Sequence, residues 1–171
     1  VWDSNDILPI ANTDWLKEQF GNSFSHEHTL SVNGGSEKIR YYFSANYLNQ
    51  DGILRHGDDN RQRYTATGRI DADITKWLNL TYSTRFTRTD YEAPSVMVKG
   101  TDEFYHNMCR YWPIIPTKDP NGNWVAESYI SRLMNGGMYK TQSDVFSQHL
   151  ALRATPVKGL NINAELNYRI I

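Results

Sequence analysis

The sequence predicts an all-β fold: an antiparallel, up-and-down transmembrane β-barrel segment of about six strands, with one long, partly helical extracellular loop. Three observations predict it. Apolar and polar residues alternate with period two through six long segments, charge is confined to one parity of those segments, and the connections alternate between short and long. The 171 residues carry 18 Lys+Arg against 19 Asp+Glu, a formal net charge of −1. That balance gives no electrostatic reason to bind nucleic acid. No apolar run approaches the 18 residues of a spanning helix. The signal of a spanning strand is spread over alternate residues, so it survives this test.

In chain order, Asn12-Thr13-Asp14 predicts the cap of a short helix at about 14–20, whose Trp15, Leu16 and Phe20 need something to pack against. Strands are predicted at about 26–33, 38–49, 63–74, 77–89, 144–155 and 159–171. In the second, Ile39, Tyr41, Phe43, Ala45 and Tyr47 share a face, with Arg40, Ser44 and Asn46 on the other. The apolar parity takes 28, 30 and 32, odd positions 39–47, and even positions 64–74, 78–86, 146–154 and 160–170. It holds no Asp, Glu, Lys or Arg. Tilted strands of eleven or more residues match an outer-membrane hydrocarbon band, although a half-buried soluble sheet also segregates charge.

Gly34-Gly35-Ser36-Glu37, Thr75-Lys76 and Pro156-Val157-Lys158 are tight turns, whereas 50–62 and 91–143 are long connections. In such barrels short turns are periplasmic and long loops extracellular. Tyr47, Tyr64, Phe86, Phe146 and Tyr168 fall on the apolar parity at the strand ends nearest the long loops, where an interfacial girdle would lie. Within the long loop, Thr101-Asp102-Glu103 leads into Phe104, Met108 and Tyr111 at helical spacing, which predicts a helix near 101–111 stopped by Pro113. Asp119-Pro120-Asn121-Gly122-Asn123 reads as a reverse turn between two short extended pieces, and Asn135-Gly136-Gly137 as a flexible tip. The organisation is therefore 1–23 extracellular loop with a short helix, 24–90 four barrel strands, 91–143 long extracellular loop, and 144–171 two barrel strands.

Residues 12–90 resemble the SusC/RagA family of TonB-linked outer-membrane transporters of Bacteroidetes. The resemblance is carried by Asn12-Thr13-Asp14-Trp15-Leu16 with Phe20, and by His28-Thr29-Leu30-Ser31-Val32-Asn33-Gly34-Gly35-Ser36-Glu37-Lys38. It continues through Tyr41-Tyr42-Phe43-Ser44, Tyr47-Leu48-Asn49-Gln50-Asp51-Gly52-Ile53, Arg63-Tyr64-Thr65 and Thr75-Lys76-Trp77-Leu78. It is weaker across 91–143 and returns in type over 144–171, around Lys158-Gly159-Leu160. It implies a plugged barrel of more than twenty strands that imports glycans or peptides with energy from the TonB complex, working with a SusD-like surface lipoprotein in the bacterial outer membrane. The chain starts Val1-Trp2-Asp3 and shows no leader, TonB-contacting box, plug pattern or aromatic C-terminal residue. Six strands fall short of the usual minimum of eight, so an internal segment of a larger plugged barrel is expected.

His26-Glu27-His28 places two imidazoles on one strand face. Without a third ligand, and beside Leu30 and Val32, interfacial packing is favoured over metal binding. Asp119, Asn121 and Asn123 imitate a calcium loop, but Trp124 stands where its Gly belongs and Ile130 where its bidentate Glu belongs, so a turn is favoured. Cys109 is expected to be a packed thiol. No nucleophile, paired-carboxylate or phosphate-loop pattern has local support, so neither an enzyme activity nor a cofactor is expected.

Two groups of residues suggest function. Tyr105, Tyr111, Trp112, Trp124, Tyr129 and Tyr139 in the long loop are the candidate substrate- or partner-binding aromatics, since aromatic planes stack on sugars and anchor protein partners. They could equally pack the loop against itself. Arg40, Arg63, Arg69, Asp71, Asp73, Arg85 and Arg153 lie on the charged parity, where they would line a lumen, face a plug, or pair across strands. A soluble β-domain binding carbohydrate or protein through the loop aromatics is the alternative. It requires the apolar face to be covered by protein, whereas a barrel wall leaves that face bare for lipid. A hydrolase would need Asp102 or Glu103 to converge with another acid, at a spacing that sequence does not supply.

Overall fold

A computed structural model describes residues 11–98, 101–125 and 129–171, with the side chains of 101–103 and 129 outside the description. Six strands, β1 (Ser25–Gly35), β2 (Ile39–Asp51), β3 (Asn60–Thr75), β4 (Leu78–Pro94), β5 (Met138–Ala154) and β6 (Ile162–Ile170), form one sheet in sequence order. The sheet is antiparallel and open, as the alternation predicted of a barrel segment. Four short helices lie outside it: α1 (Trp15–Gln19), α2 (Ser95–Val98), α3 (Thr101–Met108) and α4 (Tyr129–Asn135). One compact unit gathers the described residues up to Phe24 with 51–60 and those of 92–140; the other holds 25–50, 61–91 and 141–171.

In the sheet unit, the register puts Leu30 opposite Ala45, Val32 opposite Phe43, Leu150 opposite Leu166 and Phe146 opposite Ile170. Directly opposed residues share a face, so these pairs confirm the apolar parity of both outer strand pairs. The opposite face pairs Gly35 with Arg40, Ala151 with Glu165 and Arg153 with Asn163. Leu30 is 76% exposed, Val32 57%, Leu166 64% and Tyr168 58%. A soluble protein of this size would cover such a surface. At Gly68 a Cβ would sit 3.2 Å from the Phe43 ring and 3.4 Å from Thr84, so the missing side chain lets that ring lie flat on β3. The β1–β2 turn closes through Ser36, whose N–H donates to the Ile39 carbonyl at 2.7 Å and whose hydroxyl accepts from the Ile39 N–H at 3.3 Å.

In the loop unit, the core is built from helix faces. Met97, Phe104, Met108 and Leu133 are buried together, with Phe20, Leu54, Val96 and Tyr111 packed against them. Trp15, Val125 and Ile130 form a second cluster, joined by Tyr111, Ile115 and Trp124. Asp14 caps α1 by accepting from the Lys17 N–H at 3.1 Å. Chain 11–13 is tied to 113–115: the Thr13 N–H donates to the Pro113 carbonyl at 2.8 Å, and the Thr13 hydroxyl to the Ile115 carbonyl at 2.8 Å.

Several expectations need correction. Strand β4 runs to Pro94 and β5 starts at Met138, so Phe86 and Phe146 lie well inside their strands rather than at the ends. The helix predicted near 101–111 stops at Met108, before the Pro113 signal. Cys109 therefore falls in the turn after α3 and is exposed, not packed, while Met108 takes the buried position. Leu16 is 51% exposed and finds no core, because α1 is too short to bury more than one face. Helices α2 and α4 were not expected, and Asn135 of the supposed tip ends α4. Gly137 accepts from the Ser95 N–H at 2.7 Å, which fixes that tip. The last hairpin turn is longer than predicted, with β6 starting at Ile162.

Candidate functional site

The charged face of the sheet collects the residues the parity assigned to it. Arg40, Arg69, Asp71, Asp73, Arg153 and Glu165 line one polar concavity, while Arg85 borders another with Ser147, His149 and Arg169. Arg69 grips Asp71 through two bonds of 3.0 and 3.1 Å, and Asp71 also accepts from the Thr81 hydroxyl at 2.7 Å. Asp73 accepts from the Asn79 amide at 2.8 Å. Arg63 lies 3.8 Å from Glu27, which in turn accepts from Asn46 at 2.9 Å. Cross-strand polar ladders of this kind keep a charged surface ordered without an apolar cover. Arg85 and Arg153 form no ion pair among the described residues, so their charge is available to whatever this face meets.

The loop aromatics divide by burial. Tyr111 is partly buried between the two apolar clusters, with its ring 5.2 Å from Trp15. Trp124 is half-buried: Lys118 Nζ lies 4.6 Å from its ring centroid, and the His56 ring meets it edge-on at 4.8 Å. Tyr105 is 38% exposed and stacks on Phe20 at 6.1 Å. Trp112 is 68% exposed, and its carbonyl accepts from the Trp15 indole N–H at 3.1 Å. Tyr139 is 42% exposed, and the Tyr129 side chain lies outside the described residues. Sequence reasoning missed Lys118 and His56. Lys118 and Trp124 flank the Asp119–Asn123 turn symmetrically and pair as an antiparallel bridge, a relation that reading the turn as a closed hairpin would have exposed.

That turn is held by Asp119, whose carboxylate accepts from the N–H groups of Asn121 and Asn123, each at 2.9 Å. Those bonds, the Asn123 N–H foremost, keep its carboxyl below the usual range. Asp59, in the connection between β2 and β3, moves the other way, because burial disfavours its charged form. The rings of His26 and His28 stand 5.3 Å apart, and His26 lies 5.8 Å from Tyr47, so the two imidazoles pack with an aromatic neighbour. Among the described residues no group of three or more His, Cys, Asp and Glu could hold a metal.

No family model matches the sequence. Over 76 residues, 44% of the chain, it is 36% identical to TonB-dependent receptor P3 of Formosa agariphila. Over 60 residues, 35% of the chain, it is 37% identical to TonB-dependent receptor SusC of Bacteroides thetaiotaomicron. The matched stretches span only 7% and 6% of those two proteins. In fold, 96% of the chain superposes on 20% of a chain of the RagAB peptide transporter, with a TM-score of 0.69 at 20% sequence identity. These relatives are receptors and transporters rather than enzymes. Over part of its length the chain is thus similar in sequence to TonB-dependent receptors, and in fold it is similar to one fifth of a RagAB chain.

Proposed function

We propose that the chain forms wall and outer loops of a TonB-dependent importer in the bacterial outer membrane, taking up oligosaccharides or peptides together with a SusD-like surface lipoprotein. The observation that carries this reading is the sheet with one bare apolar face and one charged face, in a register that keeps them separate across both outer strand pairs. Lipid is the solvent that suits the first face, and a wet lumen or plug surface the second. A soluble binding domain would have to cover Leu30, Val32, Leu166 and Tyr168, which lie exposed. The likeness to a peptide transporter supports peptides among the cargo, and the likeness to SusC supports the lipoprotein partner.

In this reading 24–90 and 144–171 are wall, and 1–23 and 91–143 are extracellular. The exposed aromatics, Trp112, Tyr105 and Tyr139, meet substrate or partner, Tyr111 and Trp124 hold the loop in shape, and Tyr129 belongs to the same set. Arg85 and Arg153, with Arg40, Arg63, Arg69, Asp71 and Asp73, face the plug through which the TonB complex acts. The segment makes and breaks no bonds; it captures, orients and confines.

An antibody raised against residues 91–143 tests the reading on fractionated source cells. The expected result is an outer-membrane band several times the mass of this chain. A soluble band of the chain's own mass overturns the transporter reading and leaves a small aromatic-rich binding domain.

A further inference from the structure

The apolar parity of the sheet does not run the length of its strands. On β4 it reads Leu78, Leu80, Tyr82, Thr84, Phe86, and then Arg88, Asp90, Glu92. On β5, followed in the matching direction, it reads Ala154, Leu152, Leu150, Gln148, Phe146, and then Asp144, Gln142, Lys140. The same change occurs beyond Tyr47 on β2, with Asn49 and Asp51, and beyond Tyr64 on β3, with Gln62 and Asn60.

Side-chain geometry shows that Arg88, Asp144 and Gln62 stay on the face the apolar residues of the sheet occupy. Arg88 and Asp144 meet across β4 and β5 in a two-pronged pair of 2.7 and 2.8 Å, and the Arg88 guanidinium lies 5.9 Å from the Phe86 ring centroid. Lys140 and Glu92 pair at 2.8 Å, and Asn60 donates to Asp51 at 2.8 Å. Tyr47 and Tyr64 pack at 5.0 Å, and the Tyr64 hydroxyl donates to Gln62 at 2.9 Å, so that phenol points its polar end toward the charged stretch. An aromatic with an apolar body and a wet tip marks a membrane interface. The apolar run from Tyr64 to Ile74 covers ten residue-to-residue rises, which at about 3.3 Å each and a tilt of about 40° span roughly 25 Å, the height of an outer-membrane hydrocarbon band.

We propose that the line through Tyr47, Tyr64, Phe86 and Phe146 is the outer edge of the hydrocarbon, and that β4 and β5 continue past it among the lipid headgroups, with the Arg88–Asp144 pair as the first layer above the bilayer core. A bidentate pair suits that position: each charge is satisfied within the protein, and Gln142, with its amide oxygen turned to Arg88, accepts from the third guanidinium nitrogen at 3.2 Å. The proposal rests on the membrane reading above and adds where, along each strand, lipid ends.

The test uses the full-length protein reconstituted in bilayers, with Cys109→Ser and single cysteines spin-labelled in turn at 82, 84, 86, 88 and 90 on β4 and at 142, 144, 146 and 148 on β5. Asp90→Cys leaves the Arg88–Asp144 pair in place, so the outcome does not hinge on breaking it. Accessibility to oxygen is compared with accessibility to a water-soluble nickel chelate. Oxygen should dominate through 86 and from 146 onward, with the preference reversing at 88 and 144. Oxygen dominance persisting at 90 and 142, or a reversal already at 84 and 148, overturns the boundary while the membrane reading stands. Chelate dominance at every position overturns both.

Discussion

Trp112 and Trp124 belong to the same loop and have opposite roles, and single substitutions separate them. Trp124 is held between Lys118 and His56, so Trp124→Ala should loosen the 117–125 hairpin and speed amide exchange there. Trp112 exposes its ring and packs on little, so Trp112→Ala should leave exchange unchanged. If that ring stacks on ligand or partner, its loss weakens binding roughly 2- to 10-fold, the equivalent of about 0.5–1.5 kcal/mol for one aromatic contact. Titration of wild type and variant with the same oligosaccharide or peptide reads the difference; unchanged affinity removes Trp112 from the site. Asp119 supplies a pH dependence. Its carboxyl is held below its usual value by the N–H groups of Asn123 and Asn121. A group with a depressed folded pKa contributes its full stabilisation above the unfolded value near 3.9 and loses it as pH falls through the folded value. Exchange in peptides covering 117–125, corrected for intrinsic rate, should therefore rise as pH drops below about 4, and Asp119→Ala should abolish that rise.

Strand β5 places two neighbouring residues on opposite faces of the sheet, which the membrane reading assigns to different solvents. Leu150 faces Leu166 at the middle of the apolar run, and Ala151 faces Glu165 on the charged side. Leu150→Arg should cost about 2–4 kcal/mol in a bilayer, the penalty for a cation on the lipid face at mid-membrane. Ala151→Arg sets the same charge opposite a carboxylate and should cost far less. The fraction of heat-modifiable, folded barrel on a cold denaturing gel, followed through urea, compares them, and equal losses would sink the assignment of faces. These faces were legible in the sequence because period-two alternation is a direct consequence of a pleated backbone. The outer ends of β4 and β5 were not, because beyond Phe86 and before Phe146 the apolar parity turns charged or polar while the other carries Thr87, Thr89, Tyr91, Tyr139 and Val145, and alternation that changes sense carries no clear signal. Helix α2 begins directly after Pro94, and α4 spans only Tyr129–Asn135, each too short for a helical period to stand out. The residues of the charged face were readable by parity alone. Which loop aromatics are buried was not, because Trp15, Tyr111 and Val125 come together over large sequence separations that no local pattern encodes.

For the chain as a whole, the apolar face and the free edges of β1 and β6 lead to one expectation. A sheet edge presents unpaired N–H and C=O groups, and an apolar surface of this extent seeks any matching surface in water. On the apolar face, Leu30, Val32 and Phe43 toward the β1 edge and Leu166, Tyr168 and Ile170 toward the β6 edge remain exposed even though every strand has found its neighbours in sequence order. Folding of these residues therefore satisfies the ladder and leaves the hydrophobic term unmet, the reverse of a soluble domain, where burial drives and hydrogen bonding follows. Expressed alone and refolded without detergent, the 171 residues should associate into large species by light scattering. Detergent micelles should hold them dispersed with β-type circular dichroism, because acyl chains cover the face that water cannot. A monodisperse monomer in plain buffer with the same dichroism would show that the apolar face is tolerated or covered without lipid, and would move the argument from a membrane wall to a soluble sheet.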